Sequence, residues 1–245
     1  MTGGINVTDF EAAAQRAKLT GQVRSFLDWL GEGRKLTQSG RIGMADARYL
    51  VEFLGTGDVI DPEIGGTVFK TRSSEELRYL TMIVEWAKAA RLIRVTGIRL
   101  TPVKKNAALA GDPLDLVPAM LAAYSKLGKT LFPRGTWRQS TVGDEFTDIS
   151  EELLTALLAS TAPCPLTTLS DTVYDMIAAR YTLGRLTEQQ HDFLRRTIVV
   201  DIRIAMSALH ILGIVTLDTA TDHEEADDSA ELTALGRYAI RKLRG

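Results

Sequence analysis

Few residues in this chain belong to the types that most often carry out catalysis or hold metals. It has one cysteine, Cys164, and three histidines in 245 residues. Cys164 has no histidine near it in sequence, so we expect a small packed residue and not a nucleophile. His191 and His210 lie on one predicted helix, about 28 Å apart at the standard rise per residue, and cannot share a metal ion. We predict no catalytic, cofactor-binding or metal-binding residues, and no enzymatic activity.

A repeated sequence motif indicates which helices and strands position the basic side chains of the chain. Each copy contains Leu-Thr and, five residues after the leucine, an arginine or a lysine; the copies begin at Leu36, Leu100 and Leu232. The last two copies follow an apolar helix and a β-branched strand, which predicts a helix followed by a hairpin. The middle copy departs from the last, since Lys104 stands where the last copy has Gly236.

Hydrophobic periodicity and capping boxes predict that most of the chain is helical. A capping box at Ser73 opens a helix that runs to about residue 92, with its apolar side chains on one face. A second box at Thr187 opens the longest helix, residues 188–212, which has apolar residues at steps of three and four. This helix is longer than a compact recognition helix needs, and its excess length suggests a homodimer interface.

The chain length and a central segment that contains proline and glycine suggest two domains. At 245 residues the chain can form one large domain or two of ordinary size. Residues 129–147 contain one proline and two glycines and lack clear periodicity, which predicts a linker. We therefore expect an N-terminal domain over residues 1–128 and a C-terminal domain over residues 148–245.

The composition limits the cellular compartment and the kinds of partner that we expect for this protein. The formal net charge of −2 gives no general attraction to nucleic acid, so DNA binding requires a local basic face. One cysteine allows no intrachain disulfide, as expected in a reducing cytosol. No apolar run approaches the ~20 residues of a membrane span. We predict a cytoplasmic protein that has no membrane segment.

The order helix, strand, turn and strand, closed by Leu-Thr-x-x-Gly-Arg, resembles that of tandem winged-helix proteins. The resemblance covers roughly residues 73–101 and 148–245, and it is most specific in residues 208–215 followed by 231–237. It implies a mainly α fold with short β-hairpins, in which two winged-helix-like modules of mixed α+β structure are joined by the linker.

The resemblance also implies a set of DNA contacts. In DNA-binding members the helix before the wing enters the major groove, and the wing meets phosphates. In the first half, the corresponding basic residues are Arg78, Lys88, Arg91, Arg94, Lys104 and Lys105. On the long helix of the second half they are Arg195, Arg196 and Arg203.

The second predicted wing argues against DNA contact in its own half. Residues 218–229 contain six acidic side chains and neither lysine nor arginine. Phosphate would repel these carboxylates, so we expect this wing not to touch DNA. A mobile solvated loop is the first interpretation; contact with a basic partner and local mimicry of nucleic acid are the alternatives.

Two functions therefore compete. The first is a non-enzymatic DNA-binding regulator of transcription, with a predicted homodimer interface along residues 188–212 and its basic surface in the first half. The alternative is a structural adaptor of the kind found among winged-helix subunits of chromosome-organising complexes, which bind protein segments and do not read DNA sequence. A salt series of DNA binding discriminates between them, because phosphate contacts make affinity fall steeply with salt.

Overall fold

The computed structural model describes residues 7–132, 140–181, 183–219 and 228–244. These residues form a mainly helical structure with small antiparallel sheets. The helices are α1 (Val7–Arg16), α2 (Lys18–Leu30), α3 (Met44–Phe53), α4 (Arg78–Ala89), α5 (Ala107–Gly111), α6 (Pro113–Tyr124), α7 (Gly128–Leu131), α8 (Thr141–Asp144), α9 (Phe146–Ala159), α10 (Leu166–Arg180), α11 (Glu188–Ile211) and α12 (Ala234–Arg244). The strands are β1 (Arg34–Lys35), β2 (Glu63–Ile64), β3 (Thr67–Val68), β4 (Ile93–Thr96), β5 (Arg99–Pro102), β6 (Cys164–Pro165), β7 (Val215–Asp218) and β8 (Ser229–Leu232).

The chain divides into two compact units. The first unit is residues 18–123, and the second unit combines residues 1–17 with residues 124–245. This division differs from the predicted domains 1–128 and 148–245, because α1 returns to the C-terminal unit. There Phe10 stacks on Tyr238 of α12 with ring centroids 5.0 Å apart. Such a long-range contact leaves no local signal in the sequence.

The predicted linker 129–147 is partly a packed segment. Gly128 begins α7, and a Cβ placed on it would lie 2.5 Å from the carbonyl oxygen of Gly143. Gly143 in turn packs against Phe132. A side chain on Gly128 would meet the backbone of Gly143, and one on Gly143 would meet the Phe132 side chain, so both positions favour glycine. Residues 133–139 lie outside the described residues.

In the first unit a three-stranded sheet forms against α2 and α4. Its strand order is β1-β5-β4, and both pairings are antiparallel. A second, two-stranded hairpin of β2 and β3 is inserted between α3 and α4. Trp86 on α4 is completely buried and donates an indole hydrogen bond to the carbonyl oxygen of Met120 at 2.7 Å. The predicted apolar face of α4 is confirmed, since its members include the buried Leu80, Ile83, Val84 and Ala87.

The second unit repeats the same order of elements. Its sheet has the order β6-β8-β7, so the strand before the helix pair again joins the last strand of the hairpin. The capping box at Thr187 is confirmed and opens α11. The apolar face predicted for this helix is buried inside the unit at Ile198, Ile202 and Leu209, among others. That face is therefore used within the monomer.

The last copy of the repeated motif closes the second unit. The Thr233 hydroxyl accepts from the backbone N–H of Gly236 at 2.9 Å, which caps the start of α12. It also donates to the carbonyl oxygen of Gly213 at 2.7 Å. A Cβ on Gly236 would lie 2.1 Å from the carbonyl oxygen of Ile214, so glycine is required there. In the middle copy Thr101 instead lies within β5 and caps no helix.

Among the described residues, no helix combines the length and apolar character that a membrane span requires.

Candidate nucleic-acid interface

Several of the predicted basic residues of the first unit come together beside its three-stranded sheet. Arg94 lies on β4, and Lys104 and Lys105 follow β5 in a short 3-10 turn. They line an open groove with Glu32, Thr96, Arg99, Thr101, Pro102 and Val103. Across the described residues, no carboxylate forms an ion pair with Arg94, Arg99, Lys104 or Lys105. The groove therefore carries four cations against the single carboxylate of Glu32, which forms no ion pair with them.

Strand register explains this concentration. Arg94 pairs with Thr101, and Thr96 pairs with Arg99, which also pairs with Lys35 on β1. Cross-strand partners and alternate residues share one face of a sheet. The side chains of these two arginines, two threonines and one lysine therefore all lie on the outer face. We call the three cations on this face, Lys35, Arg94 and Arg99, together with Lys104 and Lys105 in the turn after β5, the basic sheet face.

The opposite face of this sheet holds the register in place. Ile93 and Leu100 alternate with the basic residues and are buried against the core. A slip of one residue would bury the arginines and expose these apolar side chains. The hydrophobic core therefore fixes the positions of Lys35, Arg94 and Arg99 through the strand register.

The remaining predicted residues of the first unit do not join the basic sheet face. Arg78 and Arg91 lie at opposite ends of α4, about 20 Å apart along the helix axis. Lys88 forms an ion pair with Glu85 at 2.6 Å. Arg91 has a positive φ of 57° in the turn after α4, and its carbonyl oxygen accepts from the amide of Asn106.

The start of α4 is surrounded by carboxylates. One oxygen of Asp58 accepts from the backbone N–H of Tyr79, and the other accepts from that of Leu80, both at 2.9 Å. Just before the helix, Glu76 completes a capping box with Ser73. A helix that reads DNA bases directs this end into the major groove. Carboxylates at this end oppose the approach of phosphates, so α4 is poorly suited to reading bases.

The predicted contacts on α11 are mostly engaged inside the second unit. Arg195 forms an ion pair with Asp171 at 3.0 Å, and its guanidinium carbon lies 3.7 Å from the ring centroid of Tyr174. Arg203 forms an ion pair at 2.6 Å with Asp228, which is only 3% exposed. Arg196 is exposed and donates to a backbone carbonyl of its own helix. The helix therefore offers little free positive charge.

The outer face of the second sheet is acidic where the first is basic. Its cross-strand pairs are Thr216 with Glu231 and Asp218 with Ser229. Asp218 and Glu231 are both exposed. The predicted absence of DNA contact at the second wing remains a prediction, and its residues 220–227 lie outside the described residues.

Two members of the basic sheet face were missed from the sequence alone, Lys35 and Arg99. A signal for Arg99 exists, because Arg94-x-Thr96 and Arg99-x-Thr101 have the same two-residue period. Lys35 has no such signal, since β1 contains only two residues. Its position depends on pairing with a strand more than sixty residues later in the chain.

Comparison with protein-family models, curated proteins and solved structures finds no match to this chain. Among the described residues there is also no group of three or more histidine, cysteine, aspartate or glutamate side chains that could hold a metal ion.

Proposed function

We propose that this protein binds duplex DNA through the sugar-phosphate backbone, using the basic sheet face of the first unit. Both units have the element order helix, strand, helix, helix and hairpin, with the first strand paired to the last. This order supports two winged-helix modules, in which the hairpin is the element that meets phosphates. The proposal depends on three cations on one exposed sheet, Lys35, Arg94 and Arg99, together with Lys104 and Lys105 in the turn that follows it.

The distribution of charge between the units supports the same assignment. Residues 18–123 contain 15 basic and 12 acidic side chains, a formal charge of +3. The second unit contains 14 basic and 19 acidic side chains, a formal charge of −5. The near-neutral net charge of the whole chain therefore includes one basic unit. The positive electrostatic potential of that unit attracts phosphate groups.

Backbone contact suits this surface better than base reading. The groove contains threonine hydroxyls and basic side chains, which donate hydrogen bonds to phosphate oxygens. It contains no aromatic side chain on which the bases of a single strand could stack. Binding is therefore expected to depend weakly on sequence and to favour duplexes over single strands of equal length.

A salt series measured by fluorescence anisotropy tests the proposal. For B-DNA the logarithm of affinity falls with the logarithm of salt concentration by about 0.9 for each phosphate contacted. The double variants R94A/R99A and K104A/K105A should each reduce that slope by about 2. Two duplexes of unrelated sequence should bind with similar affinity.

The matched control is the double variant K18A/R24A. Lys18 and Arg24 are exposed on α2, outside the basic sheet face, and their removal changes the net charge by the same amount. This control should keep the slope of the unaltered protein. The proposal fails if no duplex binds at low salt, or if the control lowers the slope as much as the sheet variants do.

The second unit supports a second function, that of an adaptor which binds a protein segment. The observation that favours it is the acidic outer face formed by Asp218 and Glu231 on a sheet of the same order. A basic partner segment complements such a face. The variant D218N/E231Q should weaken binding to that partner while leaving the salt slope of DNA binding unchanged.

A further inference from the structure

The β2–β3 hairpin contains the longest unbroken run of exposed residues in the first unit. Residues 63–70 are all exposed, and neither strand pairs with any other strand of the described residues. An isolated two-stranded hairpin is at best marginally stable in water. Its apolar side chains Ile64, Val68 and Phe69 are each about half exposed or more. The hairpin therefore has both free strand edges and uncovered apolar surface.

The base of the hairpin is nevertheless held firmly. Asp61 forms ion pairs with Arg48 on α3 at 3.1 Å and with Lys70 at 3.3 Å. It also accepts from the backbone N–H of Thr71 at 2.8 Å. Together these hydrogen bonds and the two cations lower the pKa of Asp61 to about 2. The strands are thus presented in one orientation, which favours specific pairing.

The turn determines which backbone groups face outward. Gly65 and Gly66 both have positive φ and form a two-residue turn between the paired Ile64 and Thr67. In such a hairpin, hydrogen-bonded and non-hydrogen-bonded pairs alternate. The N–H of Phe69 donates to the carbonyl oxygen of Pro62 at 2.9 Å, so the intervening residue, Val68, directs its N–H and C=O away from β2.

The free edge of β3 is self-complementary. When two copies pair antiparallel about a two-fold axis through Val68, that residue faces its own copy and Gly66 faces Lys70. No like charges then oppose each other, and the outward backbone groups of Val68 can form two reciprocal hydrogen bonds. The same operation on β2 would place two Glu63 carboxylates opposite each other, which is unfavourable. Charge therefore selects the β3 edge.

The hairpin and the two helices that flank it in sequence carry exposed aromatic surface. Four rings there are each about half exposed: Tyr49 and Phe53 on α3, Phe69 after β3, and Tyr79 on α4. At 150–250 Å² for a whole aromatic side chain, they leave roughly 300–500 Å² accessible. A standard interface of about 800 Å² per partner contains roughly 450 Å² of apolar area. The rings alone approach this amount.

We infer that this protein forms a homodimer in which the β3 strands of two copies pair edge to edge about Val68. The paired hairpins form a four-stranded antiparallel sheet. Natural proteins protect exposed edges with charges, proline or bulges. The residues 66–69 at this edge include none of the charged residues or prolines that would prevent pairing. The interface differs from the one predicted along residues 188–212.

A complementation experiment tests this inference. Sedimentation velocity of the unaltered full chain should show a dimer whose population rises with concentration. V68K and V68E should each weaken the dimer by about tenfold or more, because each places like charges opposite across the axis. An equimolar mixture of V68K and V68E should recover the dimer, since opposite charges then meet at that position.

Recovery in the mixture distinguishes pairing from misfolding, because two misfolded variants would not complement each other. F193D is the matched control, since Phe193 is exposed on α11 and belongs to the helix predicted as a dimer interface. It should leave the dimer intact. A chain that stays monomeric at every concentration overturns the inference, and so does a dimer that is insensitive to both Val68 variants or fails to reform in the mixture.

Discussion

The outer face of the first unit's sheet presents Arg94 and Arg99 opposite two threonines. In the second unit the corresponding cross-strand pairs are Thr216 with Glu231 and Asp218 with Ser229, so the two carboxylates stand where the first unit has threonines, and the arginines are replaced by a threonine and a serine. The inner faces are alike, since Ile93 and Leu100 in the first unit correspond to the buried Val215 and Ala230 in the second.

This comparison separates the requirements of the fold from those of binding. Burial fixes the inner positions, and therefore the register, in both sheets. The outer positions are solvent-exposed, so their charge can change sign at little cost to the fold. The two units thus use one backbone arrangement to present opposite charges.

The largest effect should come from transferring the acidic pattern to the first sheet. The variant R94T/T96D/R99S/T101E gives β4 and β5 the outer residues of β7 and β8. Two cations are lost and two carboxylates gained, so affinity for duplex DNA should fall by about a thousandfold or more at low salt. Anisotropy measures the loss, and circular dichroism should show an unchanged fold. Residual binding within tenfold of the unaltered protein would contradict the assignment of the site.

The features that could be predicted from sequence are local ones. The apolar face of α4 and the capping boxes at Ser73 and Thr187 depend on residues within a few positions of one another. The engagement of Arg203 could not be predicted, because its partner Asp228 is distant in sequence. The place of α1 could not be predicted either, since it depends on contact with α12.

The candidate site shows the same limit. Arg94, Lys104 and Lys105 could be named from a general resemblance, but their convergence with Lys35 and Arg99 requires knowledge of strand register. Register is determined by burial on the inner face, which a sequence pattern of four-residue strands leaves ambiguous.

The next largest effect should be a loss of stability in the repeated Leu-Thr motif, whose last and middle copies differ in structural role. G236A should destabilise the second unit by about 3 kcal/mol, because its Cβ would meet the carbonyl oxygen of Ile214 at 2.1 Å. K104G, at the matching position of the middle copy, should change stability little, since Lys104 is exposed. Urea denaturation compares the two variants. Equal destabilisation would show that the copies have one structural role after all.

The arginines of α11 and those of the basic sheet face should respond differently to substitution. A smaller loss of stability is expected on α11. R203A leaves the carboxylate of Asp228 buried without this partner, and should cost about 2 kcal/mol because Arg203 itself is 35% exposed. The salt slope of DNA binding should stay unchanged. R94A should show the reverse, with stability retained and the slope reduced by about 1. A reduced slope in R203A would extend the DNA interface to the second unit.

The smallest effect should appear at the base of the β2–β3 hairpin, and only in acid. The pKa of Asp61 is lowered to about 2 from an ordinary value of 3.8, first by the hydrogen bond from Thr71 and then by Arg48. A lowered pKa means that the ionised form stabilises the folded state above pH 3.8, and that this contribution is lost as the pH falls towards 2.

The variant D61N removes the ionisation of this side chain. The difference in urea stability between D61N and the unaltered chain should therefore be constant near neutral pH and shrink between about pH 4 and pH 2. R48Q keeps Asp61 ionisable but removes one of its two cations, so the Asp61 carboxyl should titrate at a higher pH by NMR. A carboxyl that titrates near 3.8 in the unaltered protein would mean that Asp61 does not hold the hairpin in place.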